Sequence, residues 1–323
     1  MIRFVAARLA QSAIVLLVMS FVVYGLIGLM PGDPADLMIA ADPKLTSEDI
    51  ARIKAVYGLD QPLGERYLAW LGAALTGDFG NSRLHVRPVL EVMGPFLLNT
   101  LALMGASFIL SVAIAIPLGV VAALRPHGKL DHAINLACFA GISLPVFWLA
   151  LLLMMVFSVN LGILPASGVA TVGDGGLGDR LLHLILPTAT LTVFSIGHYT
   201  RYVRAAMMET LRQDFIRTAR AKGASDARVL WRHALPNALI PVVTIVALSF
   251  GSLFSGALVT ETMFAYPGMG KMIYDAIMGN DYNLALIGLL FATLLTLAGN
   301  LLADLAYAWL DPRISYSGGE ARA

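Results

Sequence analysis

Long apolar runs alternate with shorter polar ones along this chain, and the apolar runs have a length with physical meaning. Crossing about 30 Å of hydrocarbon takes roughly 20 helical residues. Six stretches reach that length, at 9–30, 96–124, 133–159, 181–200, 238–260 and 284–310. Four of them carry no charged residue or histidine; the exceptions are His183 and His198 in the fourth and Asp304 in the sixth. Within a bilayer every backbone polar group must be satisfied internally, and long runs without a two-residue alternation satisfy it as helices. The pattern predicts an all-α integral membrane protein with six transmembrane helices. Pro117, Pro145, Pro187 and Pro241 fall inside these spans, where kinks are expected.

The polar segments set the orientation. With the amino terminus inside, the short segments on that side hold fourteen Lys and Arg residues: Arg3, Arg8, Arg125, Lys129, eight between 201 and 237, Arg313 and Arg322. The short segments on the other side hold two, Arg180 and Lys271. Basic residues in short loops stay in the cytoplasm, so both termini are expected there. The layout is then a membrane anchor at 1–30, retained rather than cleaved; an extracytoplasmic loop at 31–95; a five-span core at 96–310 with a cytoplasmic loop at 201–237; and a cytoplasmic tail at 311–323. The first span lacks a small-residue cleavage site and is longer than a signal core. The long loop carries its own helical patterns. In "SEDIARIKAVYGL" Ser47 can cap a helix with Ile50, Ile53 and Tyr57 at helical spacing, and in "GERYLAWLGAAL" Tyr67, Leu68, Leu71 and Leu75 recur in such a pattern.

Composition agrees with the pattern. Residues are 58% hydrophobic and 13% charged, against about 25% charged in soluble domains. A net charge of +1 lacks the basic surplus of a nucleic-acid surface. The single cysteine, Cys138, reads as a packing residue. "GDGGLG" at 173–178 satisfies a dinucleotide pattern but follows no strand, and "YPGMGKM" has Met272 where a phosphate loop needs Ser or Thr. His127 and His132 have no metal-ligand partners at the right spacing, so no metal and no cofactor are expected. Asp304 reads as a helix-pairing or anchoring group, and His183 and His198 as interfacial ones. No nucleophile and base pair can be assembled from the chain.

One stretch departs from the oily background: "DFIRTARAKGASDARVLWRHALPN", 214–237. Asp214 can cap a two-turn helix that Gly223 ends, with Phe215, Ala219 and Lys222 near one face and Arg217, Arg220 and Ala221 on another. Ser225 or Asp226 can cap a second helix running to Leu235 and stopped by Pro236. A helix so short needs packing to persist. Its alanines allow close approach of a partner and its arginines offer directional contacts, although a loop facing anionic headgroups has the same composition.

"RTARAKGASDARVLWRHALP" resembles the cytoplasmic loop motif of inner-membrane permease subunits of ATP-binding-cassette importers. Gly223, Leu235 and Pro236 match that motif, and Ala219 keeps its second alanine. Arg217, Thr218 and His233 replace its Glu, first Ala and Ile. This variant is similar to the peptide, nickel and glutathione branch, as are "MPGDPA", "YGLDQPLGERYLAWLGAALTGDFGNS", "ETMFAYPGMG" and "LDPRIS" in the same order. The resemblance implies a coupling helix seated on an ATPase subunit, with Phe215, Arg217, Thr218, Ala219, Arg220, Ala221, Lys222, Gly223, Leu235 and Pro236 as the coupling set. It also implies a homologous second permease, two cytoplasmic ATPases that carry the hydrolysis, and an extracytoplasmic substrate-binding protein. Dipeptides or oligopeptides are the expected cargo. The rival is a self-sufficient secondary transporter or channel, which needs acidic residues inside its spans. Asp304 is the one acidic residue in the six stretches.

Overall fold

The computed structural model describes residues 2–29, 46, 48, 49, 52 and 60–310. "MPGDPA", "LDPRIS" after its first residue and most of "SEDIARIKAVYGL" lie outside the described residues, as do the side chains of 247–256. The elements in order are α1 (Ile2–Gly28), α2 (Leu63–Leu75), a hairpin of β1 (Asn81–Ser82) and β2 (Arg87–Pro88), α3 (Val89–Leu124), α4 (Lys129–Ser143), α5 (Val146–Leu153) continued by a π-helix (Met154–Asn160), α6 (Leu177–Thr210), α7 (Asp214–Ala221), α8 (Asp226–Arg228) continued by a second π-helix (Val229–Ala234), α9 (Leu235–Met263), α10 (Met269–Met278) and α11 (Tyr282–Leu310).

Among the described residues four helices are long and apolar enough to cross a membrane: Val5–Gly28, Val89–Leu124, Leu177–Thr210 and Tyr282–Leu302. The pair Lys129–Ser143 and Val146–Asn160 would make a fifth as one broken span bent by 101°. The third predicted span is therefore not one straight helix. Proline crowds the residue before it out of the α region, and Leu144, at φ −80 and ψ 129, is extended ahead of Pro145. Pro187 and Pro241, by contrast, lie inside α6 and α9 without ending them. The 34 residues of α6 span about 51 Å at 1.5 Å each, so this helix outruns a hydrocarbon core of about 30 Å.

The chain divides into two compact units, one built on Asn99–Gly270 and the other on Ile2–Leu98 with Lys271–Leu295. In the first unit α3 turns Ser107, Ser111 and Ala115 inward, all fully buried. The two hydroxyls bond back to the carbonyls of Leu103 and Ser107, at 2.7 and 2.6 Å, so the small side chains add no unsatisfied group. Small residues let helix backbones come close where no hydrophobic effect drives them together. One close approach joins α4 and α6, where a Cβ at Gly197 would stand 2.6 Å from the Cys138 carbonyl oxygen. Cys138 itself is buried beside Ala122 and Ile134, as a packing residue should be.

The second unit orders the part of the long loop that is described. Tyr67 of α2 is buried, its hydroxyl 2.8 Å from Ser20 Oγ and its ring edge-on to Phe21. Tyr67 and Trp70, with Tyr24 of α1 between 5 and 6 Å away, form the packed face. The sequence pattern placed Leu68 and Leu75 on that face, yet they are 64% and 80% exposed. At 100° per residue they stand about 100° and 80° around the helix from Tyr67, which is enough to turn them off the contact. Asp281 closes the unit from the other end of the sequence. It caps α11 by accepting from Leu284 N at 3.2 Å and holds the hairpin by accepting from Ser82 Oγ and from Leu84 N at 3.0 Å.

Candidate functional site

The polar insert folds around one apolar anchor. Helix α7 begins at Asp214, with Gln213 in the cap position, so Asp214 is the first helical residue rather than the cap. Its carboxylate instead accepts from Arg217 at 3.1 Å, one turn on. That pair is exposed and contributes about 0.3 kcal/mol of local support. Ile216 is fully buried and joins a core made of Val120 and Ala123 from α3, Tyr199, Val203 and Met207 from α6, and Val229, Ala238 and Val242 beyond the turn. Ala219, one turn after Ile216, packs against the same core. Sequence reasoning missed Ile216, although a signal was present: Ile216 and Ala219 are an apolar pair at i, i+3 in an otherwise polar helix.

The other candidate residues of the insert stand outward. Phe215, Arg217, Thr218, Arg220, Ala221 and Lys222 are exposed. The Thr218 hydroxyl bonds back to the Asp214 carbonyl at 3.0 Å, and the Arg220 guanidinium lies 3.8 Å from Asp226. Gly223 ends the helix at φ +81. No atom lies within 4 Å of the position its Cβ would take. The backbone turn alone therefore requires glycine there.

The second half of the insert differs from its prediction. Ser225 does cap it, accepting from Arg228 N at 3.4 Å. Pro236 does not stop it: helical turns run from Asp226 through the π-helix Val229–Ala234 into α9, with Pro236 in the first turn of α9. A π turn is wider than an α turn and shifts the bonding register, so the missing proline N–H and the bulk of its ring meet a helix already reset at that point. Leu235 packs on the anchoring core and Pro236 is exposed. Thus α7 is joined to α9 by one turn at Gly223 and a nearly unbroken helical rod.

Two carboxylates are buried elsewhere in this unit. Asp131 at the start of α4 accepts both arms of the Arg204 guanidinium of α6, each at 2.6 Å, together with His127 N and Asn135 Nδ2. Glu261 lies in α9 because that helix continues past the end of the fifth predicted span, so Asp304 is not the only acid in a long apolar helix. Glu261 is fully buried and accepts from Thr100 Oγ1 at 2.5 Å, and Thr100 in turn accepts from Met269 N at 2.7 Å. The motif "ETMFAYPGMG" closes around that carboxylate: a Cβ at Gly268 would land on it, and one at Gly270 would come within 2.5 Å of Leu258 Cα. Burial, and then the nearby Glu261, push the Tyr266 phenol up to about 12. His183 is buried between Ser167 O at 2.9 Å and Thr171 Oγ1 at 3.3 Å, while His198 is exposed beside Phe194.

Comparison with known proteins places this geometry. The family model of the binding-protein-dependent transport system inner membrane component matches residues 115–316, and the model of the N-terminal part of such membrane components matches residues 1–89. The oligopeptide transport system permease protein AppB of Bacillus subtilis (strain 168) is 42% identical over 318 residues, covering 98% of this chain and 100% of the relative. The di/tripeptide transport system permease protein DppB of Pseudomonas aeruginosa (strain UCBPP-PA14) is 36% identical over 338 residues, covering 98% and 99%. Among solved structures, an amino acid ABC transporter crystallised with histidines shares the fold at a TM-score of 0.52 and 10% identity, over 68% of this chain and 94% of that one. The MetNI methionine ABC transporter in an inward-facing form does so at 0.50 and 19%, over 67% and 97%. On its apolar helices and its matched relatives over nearly the whole length, the chain belongs to the family of inner-membrane components of binding-protein-dependent transport systems.

Proposed function

We propose that this chain is the permease subunit of an ATP-binding-cassette importer for dipeptides or oligopeptides and forms half of the translocation pathway with a homologous second subunit. In this reading six spans place both termini and the loop 201–237 in the cytoplasm, with α9 as the fifth span and the bent α4–α5 pair as the third. Loop 31–95 faces an extracytoplasmic binding protein, and two ATPases dock from below. The peptide cargo follows the printed names of the relatives from Bacillus subtilis and Pseudomonas aeruginosa.

The observation that carries the reading is the two-sided construction of α7. Its inner side is fixed by Ile216 to a core shared with α3, α6 and α9, and its outer side presents Phe215 and the cationic residues to a partner. A displacement imposed on the outer side is therefore delivered to the roots of three long helices. This is the connection a nucleotide-driven change between inward-open and outward-open states requires. The coupling set is Phe215, Arg217, Thr218, Ala219, Arg220, Ala221, Lys222 and Gly223, with Leu235 and Pro236 at the base of α9. Ala219 and Leu235 serve the inner packing. Proteoliposomes holding the assembled subunits should take up labelled dipeptide only with ATP inside and ATPases present. Uptake driven by an ion gradient in their absence would overturn the proposal.

A further inference from the structure

Between α4 and α6 lies a pocket of about 390 Å³ lined by Asn135, Phe139, His198, Arg201, Tyr202 and Arg204. Its charges are not balanced. Arg204 is engaged on both arms by Asp131, whose Oδ1 also takes the Asn135 amide. Arg201 is exposed, its guanidinium carbon held 4.7 Å over the Phe139 ring, and it has no carboxylate partner among the described residues. His198, one turn before Arg201 on the same helix, is exposed as well. The pocket thus offers a preorganised guanidinium, an imidazole and a phenol, with its acid already neutralised.

The wall beside these donors is apolar. Leu136 and Phe139 of α4 are 72% and 51% exposed, and both belong to an apolar run of membrane-spanning length. Arg201 directly follows the apolar run 181–200, so the cationic floor meets the apolar wall where hydrocarbon gives way to water. A soluble anion would use the floor and leave the wall uncovered. A phosphodiester with a net negative charge and acyl chains would use both, since guanidinium matches phosphate oxygens and basic pockets between spans suit acidic headgroups.

We infer that this pocket binds the headgroup of an acidic glycerophospholipid, with Arg201 and His198 on the phosphate and the acyl chains along Leu136 and Phe139. The bound lipid would brace the end of α6 that leads into α7. The inference rests on the membrane placement of α4 and α6, which cysteine labelling tests separately.

The test is native mass spectrometry of the complete importer complex, titrated with phosphatidylglycerol or phosphatidylcholine carrying the same dioleoyl chains. The parent should retain the acidic lipid about fivefold over the zwitterionic one, as expected for one cation at an anionic headgroup. Arg201→Gln should bring that ratio close to one, and Arg201→Lys, which keeps the charge, should retain most of it in an equally assembled complex. Equal retention by the parent, or an unchanged preference in Arg201→Gln, would overturn the inference. So would displacement of the lipid by inorganic phosphate, which would mark a free-phosphate site. A photo-cross-linker at Tyr202 that captures another subunit instead of lipid would mark a protein interface and overturn it too.

Discussion

At the scale of single residues, the insert separates positions that look alike in sequence. Gly223 has open space around it but a φ of +81, so valine there costs about 1–2 kcal/mol of backbone strain with no clash to relieve. Gly223→Val is expected to reach the membrane in normal amounts and to co-purify poorly with the ATPases, whereas Arg228→Ala, on an exposed side chain, should transport like the parent. The opposite ranking in a pull-down and uptake assay would favour the lipid-facing reading of the loop. Ile216 makes the complementary case. Ile216→Ala removes a fully buried side chain and should cost about 2–5 kcal/mol locally. ATPase activity should then persist while peptide uptake falls, because the helix can dock without moving the spans. The Asp131–Arg204 pair supplies a third measurement. A double-mutant cycle with Asp131→Asn and Arg204→Gln, read by thermal unfolding in detergent, should give a coupling of about 1–3 kcal/mol, since the carboxylate is buried and bound bidentately. A coupling near zero would mean the pair is not formed in the assembled protein.

Among the elements, α2 shows what period decides and what its partner decides. The pattern of α2 predicts a helix and one is present at Leu63–Leu75. Its contact face depends on where α1 presents Ser20, Phe21 and Tyr24. Tyr67→Ala should therefore release α2, seen as a new protease-sensitive site near residues 63–75, whereas Leu68→Ala should leave the digestion pattern unchanged. Proline shows the same division. Pro145 breaks its helix while Pro187 and Pro241 do not, and Pro236 opens a helix it was expected to end. A proline removes one bond and adds one steric demand, and the surrounding turns decide whether either matters.

For the whole molecule the orientation is the decisive expectation. Ser82 would serve poorly as a reporter because it is buried against Asp281. In a background lacking Cys138, Thr76→Cys and Ala227→Cys, both at exposed positions, should label from opposite sides of the membrane with an impermeant thiol reagent. Labelling of both from one side would refute the placement of loops 31–95 and 201–237.

Membrane residence and the helical class were legible in the amino-acid sequence, because hydrocarbon thickness and backbone satisfaction leave few solutions for apolar runs of this length, and the family was legible in "RTARAKGASDARVLWRHALP" and its companion motifs. The short helix Asp214–Ala221 and its glycine end were legible for a local reason: a positive φ and a two-turn amphipathic pattern are properties of neighbouring residues. Only the tertiary structure decided which carboxylates are buried and what they hold. Asp131 meets a guanidinium 73 positions later, Thr100 meets Glu261 across 161, and Ser82 meets Asp281 across 199. No periodicity connects residues that far apart. The burial of an acid depends on a partner that the fold brings to it, and so does the choice of Ile216, rather than Phe215, as the residue that ties the insert to the spans.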